Sequence, residues 1–217
     1  MRARPEVAAP LVATPMSPDS VEAFDMKRLV FSTLFALIAG AAPAAAQGTS
    51  LVKIGIQGGW VTPYQTTKTY AKTGWDAGLT MQIAAPLVPV GFRIDALYST
   101  MDGAAQTGAA TRVDNFTIYS ATGNVVWTVL GAGLPTKFYL IGGIGYYSVS
   151  QKQTITATST SATLTSADFG YNVGLGVKFT KLFIEARWTN IDGGLIIPAT
   201  GGSQSLQIVP INVGLIF

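Results

Sequence analysis

The sequence predicts an all-β fold, in which eight antiparallel strands in up-and-down order close into a transmembrane β-barrel. Three observations predict it. Eight segments alternate apolar residues with small or polar ones at a period of two. The connections between them are alternately long and short, four long and three short. Aromatic residues crowd both ends of the apolar faces and leave aliphatic side chains between them.

The first segment, Leu51 to Trp60, sets Val52, Ile54, Ile56 and Trp60 against Lys53, Gly55, Gln57 and Gly59. After a polar stretch, Thr62 to Gly74, the second runs from Trp75 to Ala85 and turns through Pro86 to Pro89, where proline suits a turn. Val90 to Ser99 follows, with Phe92, Ile94 and Tyr98 opposite Gly91, Arg93 and Asp95, and Leu97 as its apolar misfit. A second long loop, Met101 to Arg112, leads to Asn115 to Leu130, whose phase is contradicted by Ile118 and Val126. The fifth segment is Lys137 to Val149, and a Thr, Ser and Ala loop is expected from Ser150 to Ser166. The sixth, Asp168 to Phe179, alternates without a break, and Thr180-Lys181 turns it into the seventh, Leu182 to Thr189, with Phe183 as an exception. A fourth long loop, Asp192 to Ser205, precedes Leu206 to Phe217, where Ile208 and Ile216 fall on the otherwise polar face.

In a soluble barrel the apolar face would point inward. Here the polar face is built of glycines and charges, which make a poor solvent surface but suit the narrow interior of an eight-stranded barrel. The charge cluster expected in the lumen is Lys53, Arg93, Asp95, Lys178, Glu185 and Arg187, read as a compensated filling, with a charged gate as the functional alternative. The apolar face would then meet lipid. Its expected girdles include Trp60, Trp75, Tyr98 and Trp188 at the long-loop ends and Trp127 and Phe179 at the short-turn ends.

Ahead of these segments, Met26-Lys27-Arg28, an apolar run from Leu29 to Ala42 and Pro43-Ala44-Ala45-Ala46 have the layout of a secretory signal peptide cleaved after Ala46. Residues 1–25 read as an over-extended reading frame or a disordered extension, residues 26–46 as the signal and residues 47–217 as the barrel. That last part carries ten Lys/Arg and seven Asp/Glu, too scattered to suggest nucleic acid. No apolar run of helix-spanning length follows the signal. Cysteine and histidine are absent, which removes disulfides, thiol catalysis and the commonest general base and metal ligand. No catalytic residue, cofactor or metal site is expected, and the chain is read as a non-enzyme. The loops, rich in Thr, Ser, Gly and Ala, read as solvated spacers, with partner binding as the alternative.

The C-terminal strand ends on Phe217, with Leu215 and Val213 on the same face. It resembles the closing strand of bacterial outer-membrane barrels, and the whole pattern resembles the small eight-stranded family typified by the OmpA transmembrane domain. The resemblance implies outer-membrane lipid as surroundings, recognition of Phe217, Leu215 and Val213 by the barrel assembly machinery, export through the periplasm and a monomeric state. It is specific for architecture and not for activity. Three functions stay open: a structural or surface-interaction barrel with a filled lumen, a narrow channel, and a secreted soluble barrel of lipocalin type.

Overall fold

A computed structural model describes residues 52–83, 88–106, 112–155, 158, 160–197 and 202–217. They belong to one compact unit, Ala44–Phe217. The expected extension, signal and cleavage point lie outside the described residues.

The elements are β1 (Val52–Pro63), the single helical turn α1 (Thr67–Tyr70), β2 (Gly74–Ile83), β3 (Val90–Met101), β4 (Ala105–Gln106), β5 (Arg112–Leu130), β6 (Thr136–Ile155), β7 (Thr160–Phe179), β8 (Leu182–Ile197) and β9 (Gly202–Ile216). The sheet runs β3-β2-β1-β9-β8-β7-β6-β5, and β3 also pairs with β5, so its eight long strands form a ring. All these pairings are antiparallel, and β4 is a two-residue addition to the edge of β5. Closure lets each strand satisfy its backbone groups against two neighbours, which a sheet in lipid requires.

Four expected loops turn out to hold regular structure. The stretch Ser150 to Ser166, read as loop, continues β6 and β7 in register as far as Ile155↔Thr160. Asp192 to Ser205 contains the ends of β8 and β9, Met101 to Arg112 contains β4, and Thr62 to Gly74 contains α1. The physical reason is common to the strand extensions. Above the membrane both sheet faces meet water, so the apolar alternation fades, while Thr and Ile still favour the extended backbone. Both β6 and β7 are 20 residues long. A tilted strand crosses a bilayer in roughly 9–11 residues, so these two strands project well beyond it.

Exposure runs opposite to that of a soluble protein. Trp60 is 63% exposed, Phe169 72% and Leu175 62%, whereas Arg93, Asp95 and Glu185 are 2%, 0% and 2% exposed. This distribution is incompatible with the soluble lipocalin-type reading.

The apolar residues that broke the alternation point into the barrel. Ile118, Val126, Phe183, Ile208 and Ile216 are all buried. Towards the long loops, Val61, Met101, Phe116, Ile118, Val149, Ile191 and Leu206 belong to one apolar cluster that also takes in Ala71, with Tyr70 packed against it. The segment carrying α1 thus folds over that end. Gln207 N donates to Thr67 Oγ1 at 2.9 Å, and Lys72 N to the Asp102 carbonyl at 2.7 Å, tying the turn to β9 and to the loop after β3. Towards the short turns, Val126, Tyr139 and Ile141 form a second, smaller cluster.

Candidate functional site

Between the two apolar clusters lies a band of charge. On β3, Arg93 and Asp95 are two residues apart and therefore share the inward face. On β8, Glu185 and Arg187 do the same with the signs reversed. In the eight-strand ring, β3 and β8 stand on opposite walls.

Arg93 Nη2 donates to Glu185 Oε1 at 2.7 Å and Oε2 at 2.8 Å, and Arg187 Nη2 donates to Asp95 Oδ2 at 2.6 Å. Along the strands, Arg93 Nε donates to Asp95 at 3.2 Å and Arg187 Nε to Glu185. Neutral side chains complete the shell. Tyr139 Oη donates to Glu185 Oε2 at 2.8 Å, Gln57 Nε2 to Asp95 Oδ1 at 3.1 Å, and Asn124 Nδ2 to Asp95 Oδ2 at 3.0 Å. The Phe183 ring lies 5.1 Å from the Arg93 guanidinium carbon. Two cations face two anions, and the carboxylates accept from several donors, which is the condition under which buried ions are tolerated.

Glycine makes room for this shell. A Cβ at Gly176 would overlap the Tyr139 ring and one at Gly214 the Phe183 ring, so both aromatic groups lie flat against bare backbone.

Of the six charged residues assigned to the lumen, the structure brings Arg93, Asp95, Glu185 and Arg187 together. Lys53 and Lys178 do not join them. Lys53 is exposed, and Lys178 is half-buried and donates to Gln82 Oε1 at 3.2 Å. They have the inward phase but sit nearer the short turns, where the wall opens. Tyr139, Gln57 and Asn124 were not singled out from the sequence, although each occupies an inward position beside outward neighbours. Neutral polar residues in a narrow lumen carry no sign to mark them, and only the register shows which ion they reach.

The aromatic residues face outward and touch around the ring. Trp60 and Trp75 are register partners. Ring centroids are 5.5 Å apart for Trp75–Tyr98, 5.1 Å for Tyr98–Tyr119, 5.7 Å for Tyr146–Phe169 and 5.6 Å for Tyr171–Trp188. Trp127 and Phe179 are exposed towards the opposite end. In the C-terminal strand, Val213, Leu215 and Phe217 are exposed on the outer face, and Phe217 N donates to the Ile54 carbonyl at 2.7 Å. Among the described residues, no group of three or more His, Cys, Asp or Glu side chains could hold a metal ion.

An inverted barrel with this ring of aromatics agrees with the comparison by sequence, in which the model of the outer membrane protein beta-barrel domain matches residues 32–217. The chain belongs to that family. Family membership places it in the bacterial outer membrane. No match was found among curated protein sequences. Among solved structures, it is similar to Neisserial surface protein A, with 13% identity over 79% of this chain and 100% of that one and a TM-score of 0.50. It is also similar to Ail, the attachment invasion locus protein of Yersinia pestis, with 15% identity, 76% and 96% coverage and a TM-score of 0.43. A third similar structure is the outer membrane enzyme PagL, with 14% identity, 76% and 98% coverage and a TM-score of 0.45. At these identities the likeness concerns the fold.

Proposed function

We propose that this family member is a non-enzymatic integral barrel with a side-chain-filled lumen, and that it acts at the cell surface through the sheet that β5, β6 and β7 raise above the outer girdle. The observation that carries this reading is the edge of β7. Pairing with β8 covers only Gly170 to Phe179, so among the described residues Thr160 to Phe169 have a partner strand on one side only. Past Ile191 the register of β8 shifts against β9, Gly193 lies beside the Asp168 side chain, and Ile196 N donates to Gln151 Oε1 at 3.2 Å on β6. The opposite edge of the same sheet is covered, because β4 pairs with β5 and Gly103 N donates to Asn115 Oδ1 at 2.9 Å.

Exposed edges are normally blunted with charge, proline or bulges. From Thr160 to Ala167 this edge has neither charge nor proline. It suits strand addition by an extended segment of another molecule. A second copy in the same membrane is a poor occupant, since a two-fold axis along the membrane normal sets N–H against N–H. A monomer follows. The proposal includes export on residues 26–46 and reading of Phe217, Leu215 and Val213 by the assembly machinery, both supported by family membership.

Replacing Thr163 and Thr165 by proline tests the reading. Cells carrying that variant, like cells lacking the protein, should lose attachment to protein-coated surfaces while envelope permeability stays unchanged. Altered permeability with normal attachment would favour a channel.

A further inference from the structure

The charged side chains at the short-turn end are all cations. Lys53 on β1, Lys137 on β6 and Lys178 on β7 have the inward phase of Gln57, Tyr139 and Asn172 on the same strands. Lys137 and Lys178 are register partners. Lys178 reaches from β7 to β2, two strands on opposite sides of the ring, and donates to Gln82 Oε1 at 3.2 Å. Gln82 is in turn the register partner of Lys53. Lys178 thus lies opposite Lys137 on the neighbouring strand and reaches the side chain that faces Lys53, so the three lysines share one mouth.

Among the described residues, no Asp or Glu side chain balances them. The sequence has no Asp or Glu between Asp114 and Asp168, between Asp168 and Glu185, or after Asp192. The nearest acids deeper in the barrel are Asp95 and Glu185, and both are engaged by Arg93 and Arg187. Folding has thus gathered three cations at one end of the lumen, two of them half-buried, where like charges repel more than they would in open water.

We propose that the short-turn mouth is a binding site for a phosphate-class anion, held by the ammonium groups of Lys53, Lys137 and Lys178. Lysine binds phosphate as a point charge with rotatable donors, so three converging lysines suit a compact anion of charge two or more without needing fixed planar geometry. Family membership puts short turns on the periplasmic side. Two sources of the same chemistry are available there, a soluble phosphate compound and the headgroup of an anionic phospholipid in the adjoining leaflet.

The full chain, folded in a non-ionic detergent, would be titrated with pyrophosphate by calorimetry at constant ionic strength. In parallel, the protein would be released from nanodiscs containing phosphatidylglycerol and weighed by native mass spectrometry. A saturable pyrophosphate site weakened at least tenfold by Lys178→Gln supports a soluble anion. Retained phosphatidylglycerol that is lost on Lys53→Gln with Lys178→Gln supports a headgroup. Lys181→Gln, in the adjacent turn with its Nζ 5.8 Å from the Phe217 ring centroid, should alter neither. Neither saturable heat nor retained lipid, or equal behaviour of the wild type and the triple Lys→Gln variant, would overturn the proposal. Lys53→Glu guards against a folding artefact, because an internal carboxylate should abolish binding while raising the thermal midpoint. A lowered midpoint would show that the three charges are not mutually repulsive, and the site would fail.

Discussion

Arg93 on β3 and Glu185 on β8 meet across the width of the barrel, with one guanidinium nitrogen 2.7 and 2.8 Å from the two carboxylate oxygens. Asp95 and Arg187 repeat the contact in reverse polarity one step along the same two strands. A cross-brace between opposite walls fixes both the distance between them and their relative height. Sliding β8 by one residue against its neighbours would send Glu185 and Arg187 to the lipid face and leave Arg93 and Asp95 unpaired.

Removing one ion from such a brace costs more than the brace contributes, because the partners stay buried and unpaired. Glu185→Ala would leave both Arg93 and Arg187 short of a carboxylate, and a loss of about 3–5 kcal/mol is expected. Ile184→Ala, one residue away on the exposed outer face, should cost less. Urea unfolding of both variants in micelles measures the difference. A neutral Glu185→Ala would mean that water already solvates the cations.

The brace was legible in the sequence as two motifs, Arg93-Ile94-Asp95 and Glu185-Ala186-Arg187, because period-two alternation alone puts each pair on one face. Their pairing was legible only in part: up-and-down order sets the third and seventh segments on opposite walls and offers Arg93 to Glu185 across the lumen, but it offers Lys178 on the neighbouring strand as well. Lys53 and Lys178 have the same phase and the same kind of charge, yet height along the strand separates them from the brace. Phase can be read from one segment, but height needs the register between segments. Ile118, Val126, Phe183, Ile208 and Ile216 looked like errors in the alternation for a related reason. A lumen filled by apolar clusters above and below a charged band breaks the rule that inward residues are polar. The upper halves of β6 and β7 escaped notice because their surroundings are aqueous on both faces, so nothing apolar marks the period.

Asp76 presents the reverse of the brace. It is buried, and its nearest polar neighbours, the Asn212 side chain and the Gly59 N–H, lack good hydrogen-bond geometry to either carboxylate oxygen. Gly59 is its register partner on β1 and is also the register partner of Asn212 on β9, whose Oδ1 is likewise unsatisfied. With only glycine between them, two acceptors share a corner of the lumen. Asp76→Asn replaces a buried charge by an amide that can donate to Asn212. A gain on the order of 1–3 kcal/mol is expected, read as a higher urea midpoint. A fall would show that the carboxylate holds a counter-ion.

Phe217 has two roles that can be separated. Its ring lies outside on the barrel wall, and its backbone N–H closes the seam with β1 through the Ile54 carbonyl. Deleting it removes one ladder bond and one lipid contact, a small change for refolding in detergent. If the assembly machinery reads the ring, the same deletion should sharply lower the amount of barrel in the membrane of living cells. Quantifying the folded protein in outer-membrane fractions alongside the yield of refolding makes the comparison. Equal membrane levels with and without Phe217 would remove the recognition role.

The lumen should not conduct. An ion entering from the long-loop side meets the apolar cluster of Met101, Phe116, Ile118 and Leu206 beneath α1, whose side chains cannot replace its hydration, and the buried acid beside them, Asp114, is engaged by Gln151 Nε2 at 3.2 Å. Beyond that cluster it meets the brace, whose charges are already neutralised by one another and therefore offer no site to a passing ion. These two barriers lie in series, so opening one leaves the other. Reconstituted wild-type protein should show no steady current in planar bilayers, and neither should Met101→Ala with Phe116→Ala. Combining those two changes with Arg93→Ala and Glu185→Ala removes side chains from both barriers, and current should then appear. A large current in the unaltered protein would mean that water threads the brace, and the filled-lumen reading would give way to the channel.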